Sequence, residues 1–450
     1  MDKHLNDLAT FACQRELAAF DAAAVERAKW VILDSLTAIA AGMRVPEMSA
    51  LREATLRGAA PGRCWLVGTG RRTNAADAAL LNGTAGTWLE LNEGCLIAKG
   101  HPGIQVVPAA LAAAQELNAT GEALVRAVLM GYEVSARIGR AWGMRLAVHP
   151  HGTYGAIGAA VAVGVLKGFS AEAMSRLINV ASTLGLATSR RTLLEGATVR
   201  NIYTGHSGSM GLLAARMVEC GFTGEANGVQ SVYGNVLGDS FDSPSLTRDL
   251  GQQWLINAGY FKMHCTGRYI HSAIDALDEA LLTAPGGRVA ARDVKRVVVR
   301  TFKLAAMLNG AEIDSSFGAR FSIPFAIATI IHHGESTLEA FDEAAVANPD
   351  VQALCRRVDM SEEAEFTKAY PDKQICEIRL EMVDGTEYTG HCEVMRGEAA
   401  NPYRDGQVRE KFFKLAIPGW GEARATELVT RFTRLEDIPA FGDFAADFDL

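Results

Sequence analysis

The chain has 450 residues, of which 49% are hydrophobic and 21% charged, and its formal net charge is −8. That length exceeds one ordinary hydrophobic core, so two domains, or three, are expected. The negative balance argues against a basic nucleic-acid-binding surface, yet an anionic substrate needs only local positive charge.

The eight cysteines stand apart at positions 13, 64, 95, 220, 265, 355, 376 and 392, with no CxxC or other metal-type spacing. Buried free thiols in a reducing compartment are the expectation. The opening segment, MDKHLNDLATFACQREL, has no signal-peptide apolar core. No apolar run reaches the roughly 18 residues of a membrane span, the Gly-rich Ala156–Leu166 coming nearest. A cytoplasmic location without membrane attachment is therefore expected.

In chain order, residues 1–267 read as helix after helix. Asp21–Gly42 begins with an N-cap aspartate and ends in glycine. Ala75–Glu90, Val106–Leu117, Gly121–Gly139, Thr153–Lys167 and Ala171–Ala187 follow, several apolar on more than one face and so expected inside a bundle. Beyond Gly267 the pattern changes. Asp293–Phe302 is β-branched and alternating, and Gln374–Val383 with Glu387–Met395 flank Asp384-Gly385 as a hairpin. Helical segments at Arg320–His333 and Thr337–Asn348 lie between them. The reading is a mainly α protein. A large all-helical domain, 1–267, is rejoined by helices in 401–450, and 268–400 form a smaller α+β domain.

Four stretches carry ionisable groups among backbone breakers. Trp88–Pro108, WLELNEGCLIAKGHPGIQVVP, brings Glu90, Glu93, Lys99 and His101 into an irregular segment interrupted by three glycines. Such a segment suits a functional loop held by a rigid scaffold; the packing alternative has solvated charges and a helix-capping histidine. Val148–Gly158, VHPHGTYGAIG, leads into an Ala-rich helix whose free N–H groups favour anions. It holds His149, His151 and Tyr154, and capping by Thr153 with exposed histidines explains it equally well. Arg200, among small residues, suits a carboxylate or an internal acid. Tyr260–His271 packs Lys262, His264, Arg268 and His271 at the domain boundary. His149 and His151 have no HExxH-like context, and neither a dinucleotide fingerprint nor a P-loop occurs, so no metal or cofactor is expected.

With these residues in place, the chain resembles the MmgE/PrpD family over almost its whole length, from VILDSLTAIAAG (Val31–Gly42) to NPYRDGQVREKFFKLA (Asn401–Ala416). The acidic run before GHPG, the HPHGTYGAIGAA helix start and the FK…RYIHSAIDA segment carry the likeness most strongly. The family includes dehydratases, decarboxylases and an epimerase acting on di- and tricarboxylic acids without metal or organic cofactor. Its fold is a large helical domain plus a smaller α+β domain, usually in a homodimer. The resemblance implies that His101 is the histidine of the family's HP motif near the reacting centre. It matches His149 to the histidine before the Gly-rich helix and Lys262 to the lysine of the FK segment. Glu90 stands where many relatives have the first aspartate of a DxDD run. Arg200 stands where the decarboxylases have lysine, and Gly267 where they have histidine.

The functional expectation is proton abstraction next to a carboxylate of a small di- or tricarboxylate. His101, Lys99, Tyr154 and His149 would move protons, while Glu90, Arg200, Lys262 and Arg268 would hold the substrate. Because the decarboxylase-type residues are replaced, the reading leans towards an epimerase of the iminodisuccinate type. A hydro-lyase, a decarboxylase or a non-catalytic polycarboxylate-binding protein are the alternatives.

Overall fold

The computed structural model describes residues 2–441 apart from 15, 18, 19 and 405, so the last nine residues of the expected 401–450 tail lie outside the described residues. It is mainly α, with a smaller α+β domain. In the first half, α1 (Lys3–Ala12), α2 (Ala22–Gly42), α3 (Pro46–Leu56), α4 (Ala75–Trp88), α5 (Pro102–Leu117), α6 (Gly121–Ala141), α7 (Gly155–Leu166) and α8 (Ala171–Ser182) follow one another. A short turn α9 (Arg191–Leu194) and the long α10 (Ile202–Glu219) complete the bundle.

Side-chain caps start the helices where the sequence supplies them. Asp21, Asn74, Thr120 and Ser170 each accept a backbone N–H from the first turn of α2, α4, α6 and α8. α5 begins four residues before the expected Val106, because Pro102 fits the first helical position, where no N–H is needed. α4 stops at Trp88 rather than Glu90, since Glu90 adopts φ +54°.

α7 is the hub of the bundle. It packs against α5, α6, α8 and α10, and every residue from Gly155 to Val165 is buried. Small residues permit this closeness. At the α4–α10 crossing a Cβ on Gly205 would stand 2.1 Å from the Leu80 carbonyl oxygen, and one on Gly83 would meet Gly205. Two short antiparallel pairs also decorate the helical domain: β1 (Cys64–Leu66) with β2 (Arg71–Thr73), and β3 (Trp142–Met144) with β4 (Gly238–Phe241). At three or four residues per strand they are too brief to show an alternating pattern in sequence.

The second core is built on a four-stranded sheet, in order β6-β5-β7-β8. β5 (Val294–Thr301) runs antiparallel to β7 (Cys376–Met382), with Val299 opposite Ile378, and β7 pairs with β8 (Glu387–Cys392) around a turn containing Gly385. β6 (Val358–Glu362), not foreseen from the sequence, lies parallel to β5 at the edge. Its burial is limited to Val358 and part of Met360, which explains its weak signature. Helix His271–Leu282 packs on β7 and β8, and Ile323–His333 packs in the same core against that helix and the helix Pro349–Cys355. The expected helix at Thr337–Asn348 is broken into the short turns Glu339–Phe341 and Glu343–Val346. The tail helices Gln407–Trp420 and Glu422–Phe432 return to pack on α2, where Phe412, Ala416, Leu428 and Phe432 enter the large core. No helix among the described residues is long and apolar enough to cross a membrane.

The glycine crossing gives a direct test of the packing. Gly205→Ala is expected to destabilise the protein by about 1–3 kcal/mol despite alanine's better helix propensity, because backbone must move to admit the methyl group. Gly58→Ala, where a Cβ meets nothing within 4 Å, should stay within about 0.5 kcal/mol of wild type in urea unfolding.

Candidate active site

A cavity lies where the two cores meet, and its wall includes Glu90, His101, His149, His151, Arg200 and Tyr260. The 88–101 segment enters it as a folded loop. Gly94 and Tyr260 exchange backbone hydrogen bonds (3.0 and 2.7 Å), and Cys95 and Gly100 do the same (2.8 and 3.2 Å). Gly94 is needed for this closeness: a Cβ there would stand 2.4 Å from the Tyr260 hydroxyl and 2.7 Å from His101 Nδ1.

His101 is the N-cap residue of α5. Its Nδ1 lies 2.5 Å from the Glu93 carbonyl oxygen. A carbonyl only accepts, so Nδ1 carries the hydrogen and Nε2 is left with its lone pair. Burial, aided by the Lys262 charge, pushes the imidazole down to about 3, so the ring is neutral at ordinary pH. Gln105 Nε2 donates to the His101 carbonyl (3.1 Å), while its Oε1 accepts from Gly152 N–H and the Ser207 hydroxyl (both 3.0 Å). One glutamine thus ties the His101 loop to the Gly-rich loop and to α10.

Glu90 is fully enclosed between two cations. It accepts from Arg200 Nη1 and from Lys262 Nζ, the latter at 3.0 Å. Burial pushes its carboxyl up, but Arg200 and Lys262 outweigh that and hold it at about 2. Lys262 is itself pulled down to about 8 by burial, against the opposing pull of Glu90. Arg200 comes from the turn Thr198–Asn201 that feeds α10. Its Nε lies 3.4 Å from His149 Nε2, while its Nη2 has no hydrogen-bond partner among the described residues. Two cations against one carboxylate leave a net positive wall.

Glu93 faces away from the cavity into a second buried network. Its Oε1 accepts Gly103 N–H (2.6 Å), its Oε2 accepts the Tyr132 hydroxyl (3.1 Å), and its own N–H donates to Asp34 Oδ2 (2.8 Å). Burial and the neighbouring Asp34 push its carboxyl up to about 8. Asp34 also pairs with Lys411 from the tail helix, whose Nζ donates to the Leu91 carbonyl (2.5 Å). The loop that holds His101 is therefore clamped from α2 and from the C-terminal tail. The sequence pattern held no signal for Asp34 or Lys411, which are 377 residues apart.

The structure separates the eight expected site residues into two groups. Glu90, His101, His149 and Arg200 converge on the cavity, with Lys262 just behind Glu90. Lys99 reaches the cavity wall, but its ammonium donates to the carbonyls of Gly139 (2.8 Å), Arg140 (3.2 Å) and Trp142 (2.5 Å), closing the C-terminus of α6. The Tyr154 hydroxyl donates to the Ala98 carbonyl (2.7 Å), and burial pushes its pKa well above the usual value. Arg268 is spent on Glu398 (2.7 Å), the Arg396 carbonyl, His271 and the face of Tyr260, and does not line the cavity. His151, expected either at an anion-favouring helix start or as an exposed histidine and dismissed as half of a metal pair, lies on the cavity wall between His101 and His149. Among the described residues no three histidine, cysteine or carboxylate side chains come together in a way that could hold a metal ion.

A helical domain joined to an α+β domain, with a histidine-lined, cationic cavity between their cores, defines the class. The chain belongs to the MmgE/PrpD family: the MmgE/PrpD N-terminal domain matches residues 6–238 and the C-terminal domain residues 264–435. It is similar to the cis-aconitate decarboxylase of Aspergillus terreus, at 25% identity over 92% of this chain and 90% of that protein. It is also similar to the mouse cis-aconitate decarboxylase, at 24% identity over 75% of this chain and 71% of the relative. A cis-aconitate decarboxylase-like protein of Aspergillus oryzae is 24% identical over 87% of the chain and 86% of its own length.

Two substitutions test the buried carboxyls. Glu90→Gln leaves two buried cations without a counter-charge, and a loss of about 3–5 kcal/mol is expected in urea unfolding at pH 7. Glu93 has a folded pKa of about 8 against an ordinary 4.5, so the folded state binds the extra proton and stability falls as pH rises through that window. In Glu93→Gln that part of the decline should disappear, read from unfolding midpoints between pH 5 and 9.

Proposed function

We propose that this protein is a lyase acting on a small di- or tricarboxylate by proton abstraction from the carbon beside a carboxylate. The observation that carries the reading is His101: its Nδ1–H donates to the Glu93 backbone carbonyl, so the neutral ring keeps a lone pair on Nε2 at a cationic cavity. A base must be unprotonated at working pH, and burial keeps this one so. Arg200 Nη2 supplies a free donor for a substrate carboxylate, and the Arg200 and Lys262 charges favour the enolate that forms when the proton leaves. A hydroxyl on the adjacent carbon then departs with the electron pair of its C–O bond and takes up the proton that His101 removed, giving an alkene and water. In a decarboxylation the same enolate forms instead from the C–C electron pair that departing CO2 leaves behind, and it is quenched by a proton.

The relatives named as cis-aconitate decarboxylases support lyase chemistry on a tricarboxylate. The epimerase reading from the sequence needs a second proton carrier on the opposite face. Lys99 and Tyr154 were expected in that role, but backbone carbonyls occupy both side chains. Lyase chemistry needs no such pair and is preferred.

Incubation with citrate-like and aconitate-like acids in deuterated water separates the readings. Loss of water with alkene formation from the citrate-like acid is expected, or loss of CO2 with uptake of a solvent deuteron from the aconitate-like acid. Exchange of the α-hydrogen without net loss marks an epimerase, and ligand-induced stabilisation with neither change marks a binding protein. His101→Ala should lower kcat/KM about 10²–10⁴-fold while the melting curve stays close to wild type; near-normal turnover would remove His101 from the centre.

A further inference from the structure

His101, His149 and His151 stand in an edge-to-face row on the cavity wall, with ring centroids 4.9 Å apart between His101 and His151 and 4.6 Å between His149 and His151. Their hydrogen bonding differs. His101 Nδ1–H donates to the Glu93 backbone carbonyl, and His149 has Nδ1 3.1 Å from the His151 backbone nitrogen and Nε2 3.4 Å from Arg200 Nε. His151 is 1% exposed, and neither Nδ1 nor Nε2 of its ring has a hydrogen-bond partner among the described residues. A buried polar group without a partner destabilises a fold, and native structures satisfy nearly all such groups. Packing therefore gives no reason for an imidazole here, where an apolar side chain of similar size would serve better.

We propose that His151 is a substrate-binding residue, donating its ring N–H to an oxygen of the polycarboxylate held by Arg200. The proposal rests on the lyase reading for its ligand class and extends it to a residue that none of the comparisons assigns. His151 lines the same cavity as Arg200. Burial and the Arg200 charge keep its ring uncharged, so it offers one donor and one acceptor rather than a second cation. A carboxylate bound by one charged and one neutral donor gains direction without adding to the repulsion already present between Arg200 and Lys262. A site of this kind discriminates strongly against acids that lack the recognised oxygen, because the imidazole is then left unpaired again.

The test uses His151→Leu, which removes the donor at similar volume, and His151→Gln, which keeps one. For the unliganded proteins, the melting temperature of His151→Leu is expected at or above that of wild type. Calorimetric titration with citrate and with cis-aconitate should show affinity about ten-fold or more weaker in His151→Leu and largely restored in His151→Gln. A clearly lower melting temperature with unchanged affinity would assign the ring a purely structural role, and equal affinity in His151→Leu, as when a buried water occupies the ring nitrogens, also overturns the proposal. The two readings fail separately. His151-dependent binding without loss of water or CO2 removes the lyase reading and keeps His151 as a ligand. Turnover with His151-independent affinity does the reverse. A wild-type protein that binds neither acid overturns both.

Discussion

The cavity depends on one buried ion triad. Glu90 lies between Arg200 and Lys262, and all three are shut off from solvent. Taking three charges out of water is costly, and their attraction recovers that cost only when the geometry is close and further hydrogen bonds help. The triad is therefore better understood as a device of position than of stability. It pins the end of α4, the lead-in to α10 and the strand-like segment before the second domain at one point, and it leaves an excess positive charge facing the cavity. Glu90 takes up a left-handed backbone conformation, φ +54°, to reach that point. Non-glycine residues adopt it at a cost of order 1–3 kcal/mol, which the surrounding contacts must over-determine.

A second layer of buried hydrogen bonds orients His101 beside that anchor. Glu93 uses its N–H, its carbonyl and both carboxyl oxygens on different partners, and the carbonyl selects the tautomer of His101. Asp34 and Lys411 hold the same short stretch from opposite ends of the chain. The tail helix thus helps to hold the loop whose Glu93 carbonyl fixes the His101 ring, although it lies far from that loop in sequence.

Much of the fold was legible in the sequence. The capped, apolar helices α2, α4, α6 and α8 and the β5, β7 and β8 strands carry strong local periodicity or explicit start signals, and they form close to where the pattern predicts. β6 and the two small strand pairs were not legible, since short strands with few buried residues leave no alternation to detect. The density of breakers and charges in residues 88–108 pointed to a loop that lines the candidate cavity. The roles within it came out differently. Glu93 and Lys99 from that loop and Tyr154 from the next stretch look like proton carriers in sequence, but their polar atoms are taken up by Gly103, Tyr132, Asp34 and backbone carbonyls. His151, in sequence part of an anion-favouring helix start or an exposed histidine, is instead buried on the cavity wall.

By itself the sequence determined the helical character of the first half, the change to mixed structure beyond Gly267 and the family likeness. These follow from local propensity, periodicity and motif, which are properties of neighbouring residues. Only the tertiary structure decided which ionisable groups are free to act. That depends on partners from distant segments: the carbonyls at the end of α6 that occupy Lys99, the Glu93 carbonyl that fixes His101, the cations that hold Glu90 ionised. Proton affinity and hydrogen-bonding capacity are set by burial and by what lies within a few ångströms, and no spacing along the chain encodes that environment.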